Sequence, residues 1–411
     1  MKNLLPFAAI LISMYTCKNK TPVSEPIPPP TKVEPQKGSY GYDRTFLEKH
    51  TKGLIELYNE DSSAKVLLSA EWQGRVMTST AAGDNGNSFG WLNYNLLSSG
   101  QKAKQFNPVG GEERFWIGPE GGQYAFYFKP GDTFDFANWQ VPAIIDTIPY
   151  QVVLENNNQA IFTAKASLIN YSGTSFDLAI TRSVTMLSKA DLSTRLGQAI
   201  DAGIKCVAYQ SENSITNLGT EAWTPENGMP SIWLLGMFTP SPKTVVIIPF
   251  KQQPDARSYI TGNYFGTIPP ERLVVNDSLL FFTCDGSFRS KIGISPAIAK
   301  SIAASYDFGN NTLTIILPEV HKGAAYVNSK WEMQDEPYKG DVINSYNDGP
   351  LEDGTQMGPF YEIESSSPAL QLKVKEAGSY KQVTCHLQGN YEALKTLALQ
   401  LLGVDLETIR R

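Results

Sequence analysis

The sequence predicts a mostly β protein, a large antiparallel sandwich closed by a short C-terminal helix. Composition is the first reason: only 18% of the 411 residues are charged, while Gly (33), Pro (26), Tyr (19) and Phe (19) are plentiful, against roughly 25% charge in an ordinary soluble domain. That balance suits many short strands joined by turns and excludes a helical bundle, a coiled coil or a disordered chain. Apolar patterning is the second reason, because apolar residues come in short bursts of strand period, with one helical stripe at the tail. Third, no repeat of fixed period occurs, which argues against a propeller or solenoid.

The first residues read as an address. Met1-Lys2-Asn3 is a basic start, and Leu4 to Ser13 is an apolar run shorter than the ~20 residues a spanning helix needs. Cys17 follows, as in the lipobox of bacterial lipoproteins. Residues 1–16 are therefore expected to be a signal peptide and Cys17 a lipidation site; the alternative is a plain signal peptide with Cys17 incidental. Residues 17–38 are rich in proline and read as a semi-rigid polyproline tether. Residues 39–411 read as one domain, since no Pro/Ser-rich linker divides them. The expected location is the cell envelope of a Gram-negative bacterium, on the periplasmic or outer-membrane face and held by a lipid anchor.

Within the domain a short helix is predicted near Tyr42–His50. Phe176, Leu178, Ile180 and Val184 fall on alternate positions after the turn Asn170–Gly173, making Ala160–Val184 a hairpin. Val245–Ile248, Leu279–Phe282 and Leu313–Leu317 are continuous apolar runs, as in strands covered on both faces. Leu394, Leu397 and Leu401 lie at i, i+3, i+7 after Asn390, a fitting N-cap for the final helix.

Several function classes fall away. A formal charge of −6 gives no general attraction for phosphate backbones, so no nucleic-acid partner is expected. There is no P-loop, dinucleotide-binding glycine motif or serine-hydrolase elbow. Cys206, Cys284 and Cys385 are far apart and odd in number, and the three histidines are dispersed without a zinc motif. No cofactor or metal is expected.

Polar residues gather in four places. Residues 110–122 (GGEERFWIGPEGG) set Glu112, Glu113, Arg114, Trp116 and Glu120 among glycines. On a strand, Glu113, Phe115 and Ile117 share one face and Arg114 and Trp116 the other. Carboxylate, guanidinium and indole together suit a sugar ring, offering hydrogen bonds to hydroxyls and an apolar face to stack on; the alternative is an Arg–Glu pair beneath a core Trp. Residues 330–350 bring Trp331, Asp341, Asn344 and Asp348, either a functional loop or a self-packed surface loop. Asp341, Asn344 and Asp348 could offer oxygens to Ca²⁺, though not at EF-hand spacing. Glu362 and Glu364 lie on one strand face, where like charges raise the pKa of one and make it a usable acid or base; the alternative is a solvated pair. Asn213–Gly219 with Trp223 adds amides and another indole, or is merely a polar turn.

These segments resemble a family of secreted or lipid-anchored bacterial proteins in the galactose-mutarotase-like (aldose 1-epimerase-like) superfamily. The resemblance is carried by Gln73–Thr78, Gly90–Asn93, GGEERFWIGPEGG, Phe136–Gln140 (FANWQ), Gly340–Pro350 and Gly358–Ala369. It implies a β-supersandwich with a carbohydrate-binding concave face. It also implies a late-strand carboxylate base, matched in order by Glu364 or Glu362. The histidines of the epimerases find no match; Glu113, Lys291 or His321 would have to supply the second group. Three functions therefore stand: a carbohydrate-binding or carbohydrate-modifying envelope lipoprotein first, then an epimerase-type enzyme with Glu364 and Glu113 catalytic, then a non-catalytic protein-binding lipoprotein.

Overall fold

The computed structural model describes residues 1 and 35–410; the leader, Cys17 and nearly all of the proline-rich tether lie outside the described residues. Three antiparallel sheets carry the chain. The smallest pairs Leu54–Tyr58, Lys65–Ser69 and Arg75–Thr80. A ten-stranded sheet runs in the order 273–275, 279–283, 244–249, 303–307, 312–318, 377–388, 205–217, 175–186, 159–169, 151–155. A six-stranded sheet runs Ile260–Thr261, Ser290–Ile294, Ile343–Asn347, Tyr361–Ser366, Ser231–Phe238, Arg114–Gly118.

Local sequence explains the pieces. In the hairpin of Gln159–Ile169 and Ser175–Met186, the Asn170 side-chain oxygen Oδ1 accepts from the Thr174 N–H at 2.9 Å, and Gly173 takes the left-handed conformation that closes the turn. Phe176, Leu178, Ile180 and Val184 are fully buried, as the alternation requires. The apolar runs split their two faces between two cores. Val245, Ile247, Leu313 and Ile315 pack beneath the C-terminal helix, while Val246, Ile248 and Ile316 face the six-stranded sheet.

That helix, Tyr391–Leu402, is capped by the Asn390 side chain accepting from the Glu392 N–H at 2.9 Å. It buries Leu394, Leu397 and Leu402 and half-buries Leu401, and each fully buried leucine contributes roughly 1.5–3 kcal/mol. The Tyr40–His50 helix also forms, with Ser39 as its cap. Two further helices, Tyr94–Ser99 and Lys189–Leu196, have no counterpart in the sequence reading. They are too short to show a stripe, although Ser188 and Asp191 form a legible capping box.

Cys206, Cys284 and Cys385 are free thiols. Among the described residues no helix is long and apolar enough to cross a membrane.

Candidate functional site

Register on the six-stranded sheet decides which side chains meet. Arg114 lies opposite Leu235, which lies opposite Glu364, then Asn344, then Gly293. One row along, Met237, Glu362, Tyr346 and Lys291 are partners; on the other side Trp116 faces Trp233. Cross-strand partners share a face, so Arg114, Trp116, Trp233, Glu362, Glu364 and Lys291 all stand on the side away from the ten-stranded sheet.

The charges on this face pair along two crossing diagonals. Arg114, in the row of Glu364, donates to Glu362 Oε1 at 2.7 Å. Lys291, in the row of Glu362, donates to Glu364 Oε2 at 3.0 Å, and the Trp233 indole N–H donates to the same oxygen at 3.0 Å. The Lys291 ammonium also lies 5.1 Å over the Trp233 ring, and the Arg114 guanidinium 4.5 Å over Trp116. The two indoles meet edge to face at 5.5 Å. Glycine makes room beside them: a Cβ on Gly293 would sit 2.0 Å from Asp341 Oδ2, so that carboxylate rests directly on the strand and accepts from Tyr264 Oη at 2.7 Å.

Two loops roof the face. After Gly118 and Pro119, Gly121 brings the chain against residues 328–331; a Cβ there would lie 2.3 Å from the Lys330 carbonyl oxygen. This contact places Glu120 and Trp331 over the sheet. Arg114, Trp116, Trp233, Glu362 and Glu364 are consequently buried, while Lys291 keeps 15% of its side chain exposed. Glu120, Tyr264, Trp331 and Asp341 are half-buried at the mouth.

Burial and charge set the proton affinities. The Glu362 carboxyl is pushed up to about 7, first by burial, with Arg114 opposing and the neighbouring Glu364 adding to the rise. Burial alone would lower the Lys291 ammonium, but Glu364, Glu120 and Glu362 outweigh it and hold Lys291 above its ordinary range. Burial raises Glu120 as well, against Lys291 and with Glu364. The face thus holds a fixed cation beside a carboxyl that can give or take a proton near neutrality. Four buried polar atoms here have no protein partner: Arg114 Nε and Nη1, Trp116 Nε1 and Glu364 Oε1. Buried polar groups are nearly always bonded, so these atoms are the donors and the acceptor that the face leaves open.

Sequence expectations and structure part at several residues. Glu113, expected to be catalytic, projects between the sheets. There it accepts from Arg182 at 2.9 Å, Gln382 at 3.0 Å and Thr384 at 3.2 Å, and both Glu113 and Arg182 have fully buried side chains. Arg182 also holds Asn213 Oδ1 at 2.6 Å. Glu112 pairs with His386 at 2.9 Å and accepts from Ser79 at 2.8 Å. Glu112 and Glu113 therefore tie neighbouring sheets together, Asn213 stays within the ten-stranded sheet, and none of the three reaches the Arg114–Glu364 face; strand alternation puts Glu113 on the face opposite to Arg114, as the sequence itself predicts. Trp223 is buried against Phe176 in the core. His321 is exposed on the turn after Thr312–Pro318, its backbone N–H donating to Tyr326 Oη at 3.0 Å.

The remaining expected residues gather at or beside the face: Trp331 on the roof, Asn344 bonded to Tyr264 Oη at 3.4 Å, and Asp348 accepting from Tyr346 Oη at 2.8 Å. Among the described residues no group of three His, Cys, Asp or Glu could hold a metal ion. Trp233 and Tyr264 carry no signal in the sequence that marks them for the site. Trp233 sits in the apolar run SIWLLGMF, which reads as pure core. Two hollows, of about 330 Å³ beside Val245, Phe281 and Ile409 and of about 880 Å³ beside Gln252 and Asp277, share no residue with this face.

The architecture is that of a mostly antiparallel β protein with a polar, indole-lined face on its six-stranded sheet. The chain belongs to the family of unknown function DUF6786, which matches residues 38–411. Solved structures similar to it include the Slr1438 protein from Synechocystis (13% identity, TM-score 0.49, covering 82% of this chain and 96% of that one). A galactose mutarotase-like protein from Lactobacillus casei is similar at 11% identity and TM-score 0.46, covering 82% of this chain and 100% of that one. A galactose mutarotase related enzyme from Lactobacillus acidophilus is similar at 9% identity and TM-score 0.43, covering 82% and 97%. A search of curated proteins found no match.

Proposed function

We propose that the Arg114–Glu362–Glu364–Lys291 face binds a sugar ring. The observation that carries this reading is the set of orphaned buried atoms beside two indoles: Arg114 Nε and Nη1 and Trp116 Nε1 can donate, and Glu364 Oε1 can accept. Hydroxyls around a pyranose satisfy both kinds, and its C–H face packs on Trp116 or Trp233. A thermal-shift screen of the protein against monosaccharides tests it: a bound sugar raises Tm by mass action, and Trp116→Ala or Glu364→Gln abolishes the rise. A screen in which no sugar moves Tm rejects the reading and favours a protein partner.

A catalytic version is favoured by one further observation, the Glu362 carboxyl poised at about 7 across the face from cationic Lys291. In an anomer exchange, ionised Glu362 removes the anomeric hydroxyl proton while Lys291 donates a proton to the ring oxygen; both protons return when the ring recloses on the other face. Saturation-transfer NMR of a pure anomer reads this directly, and Glu362→Gln stops the exchange while leaving binding in place. The sequence-based proposal that Cys17 anchors the protein to the envelope is tested by labelling cells with radioactive palmitate, Cys17→Ala serving as the control.

A further inference from the structure

Exposed rings stand at both sides of the six-stranded sheet. Over the Arg114–Gly118 edge, Phe136 is 65% exposed and stacks on Trp139 with centroids 5.8 Å apart at 21°. Trp139 stacks in turn on Trp331 at 5.9 Å and on Tyr127 at 6.2 Å, and Tyr127 meets Trp116 at 5.5 Å. A row of rings thus leads from the surface to the Trp116 indole. At the far side, Phe265 is 46% exposed, carries the Arg289 guanidinium 3.9 Å over its ring and meets Tyr346 edge-on at 5.9 Å. Tyr346 is the register partner of Glu362.

Three strands separate the Arg114–Gly118 strand from Ser290–Ile294, the strand Arg289 precedes. Four strand spacings of about 4.8 Å place those two strands roughly 19 Å apart, and the platforms stand beyond them. That is several times the width of one pyranose ring.

We infer that the face takes a neutral glycan chain, with one ring at Glu362 and Glu364 and its neighbours on the Phe136–Trp139 and Phe265–Arg289 platforms. This rests on the sugar reading above and extends it from a ring to a chain. A single ring beside Trp116 and Trp233 reaches neither exposed platform. Charge suits a neutral chain: Glu120, Asp341, Asp348 and Glu364 are matched by Arg114, Lys291, Arg289 and Lys330, and Glu362 holds a proton near neutrality, so neither a uronate nor an amino sugar finds an unpaired charge to meet.

Calorimetric titration with glucose, mannose and xylose, each against its linear hexasaccharide (maltohexaose, cellohexaose, mannohexaose, xylohexaose), tests the inference. At least one hexasaccharide should bind about tenfold or more tighter than its monosaccharide. Phe136→Ala and Phe265→Ala should each weaken hexasaccharide binding about two- to tenfold, the worth of one aromatic contact, and leave monosaccharide binding unchanged. Both rings are exposed, so neither variant should melt differently. A monosaccharide that binds as tightly as its hexamer, or variants that leave the ratio intact, overturns the chain inference and spares the ring reading. Binding of neither kind overturns both.

Discussion

Titration of Glu362 should tilt the stability of the whole protein. Its carboxyl moves from 4.5 to about 7 on folding, so the folded state holds a proton that the unfolded chain has released. Stability from this group is therefore full below about pH 4.5 and is lost as pH rises towards 7. At about 1.4 kcal/mol per pKa unit, the loss across that window is on the order of 3 kcal/mol. The assay is urea unfolding at half-unit steps from pH 4.5 to 8, comparing the native protein with Glu362→Gln, which cannot titrate. The difference between the two curves should fall with rising pH and level off above 7. In a Glu364→Gln background the fall should move to lower pH, because the like charge that helps raise Glu362 is gone. A difference flat from pH 4.5 to 8 would refute the assignment of an elevated carboxyl to this site.

Three other outcomes follow from the same geometry. Glu113→Ala strands the Arg182 guanidinium between the sheets and should cost about 3–5 kcal/mol in urea unfolding, while Arg182→Met with Glu113→Leu should recover much of it. Gly121→Ala forces a methyl to within 2.3 Å of the Lys330 carbonyl oxygen and should shift the roof, seen as altered tryptophan fluorescence and lost ligand binding. Asn390→Ala removes the cap of the last helix and should cost about 1 kcal/mol with no effect on binding.

How far the sequence reveals this molecule depends on the range of the signal. Local signals carried the hairpin of Ala160–Val184, the Asn390 cap and the shared face of Glu362 and Glu364, because strand and helix periods are properties of neighbouring residues. The alternation of Glu113 against Arg114 was equally legible, yet it says only that the two part company. Which face looks inward depends on Arg182, Gln382 and His386, 69 to 274 residues away in sequence. The crossing of Arg114 to Glu362 and Lys291 to Glu364 is likewise a matter of register between distant strands. Trp233 was hidden for the opposite reason: a strand covered on both faces looks wholly apolar, whichever side carries the site.

A crystal structure with a sugar that raises Tm shows whether a ring sits on the Trp116–Trp233–Glu364 face. The ring should stack on an indole, with hydroxyls within hydrogen-bond distance of Arg114 Nε or Nη1 and of Glu364 Oε1. Sugar density in the hollow beside Val245, Phe281 and Ile409, with the Arg114–Glu364 face untouched, would contradict it.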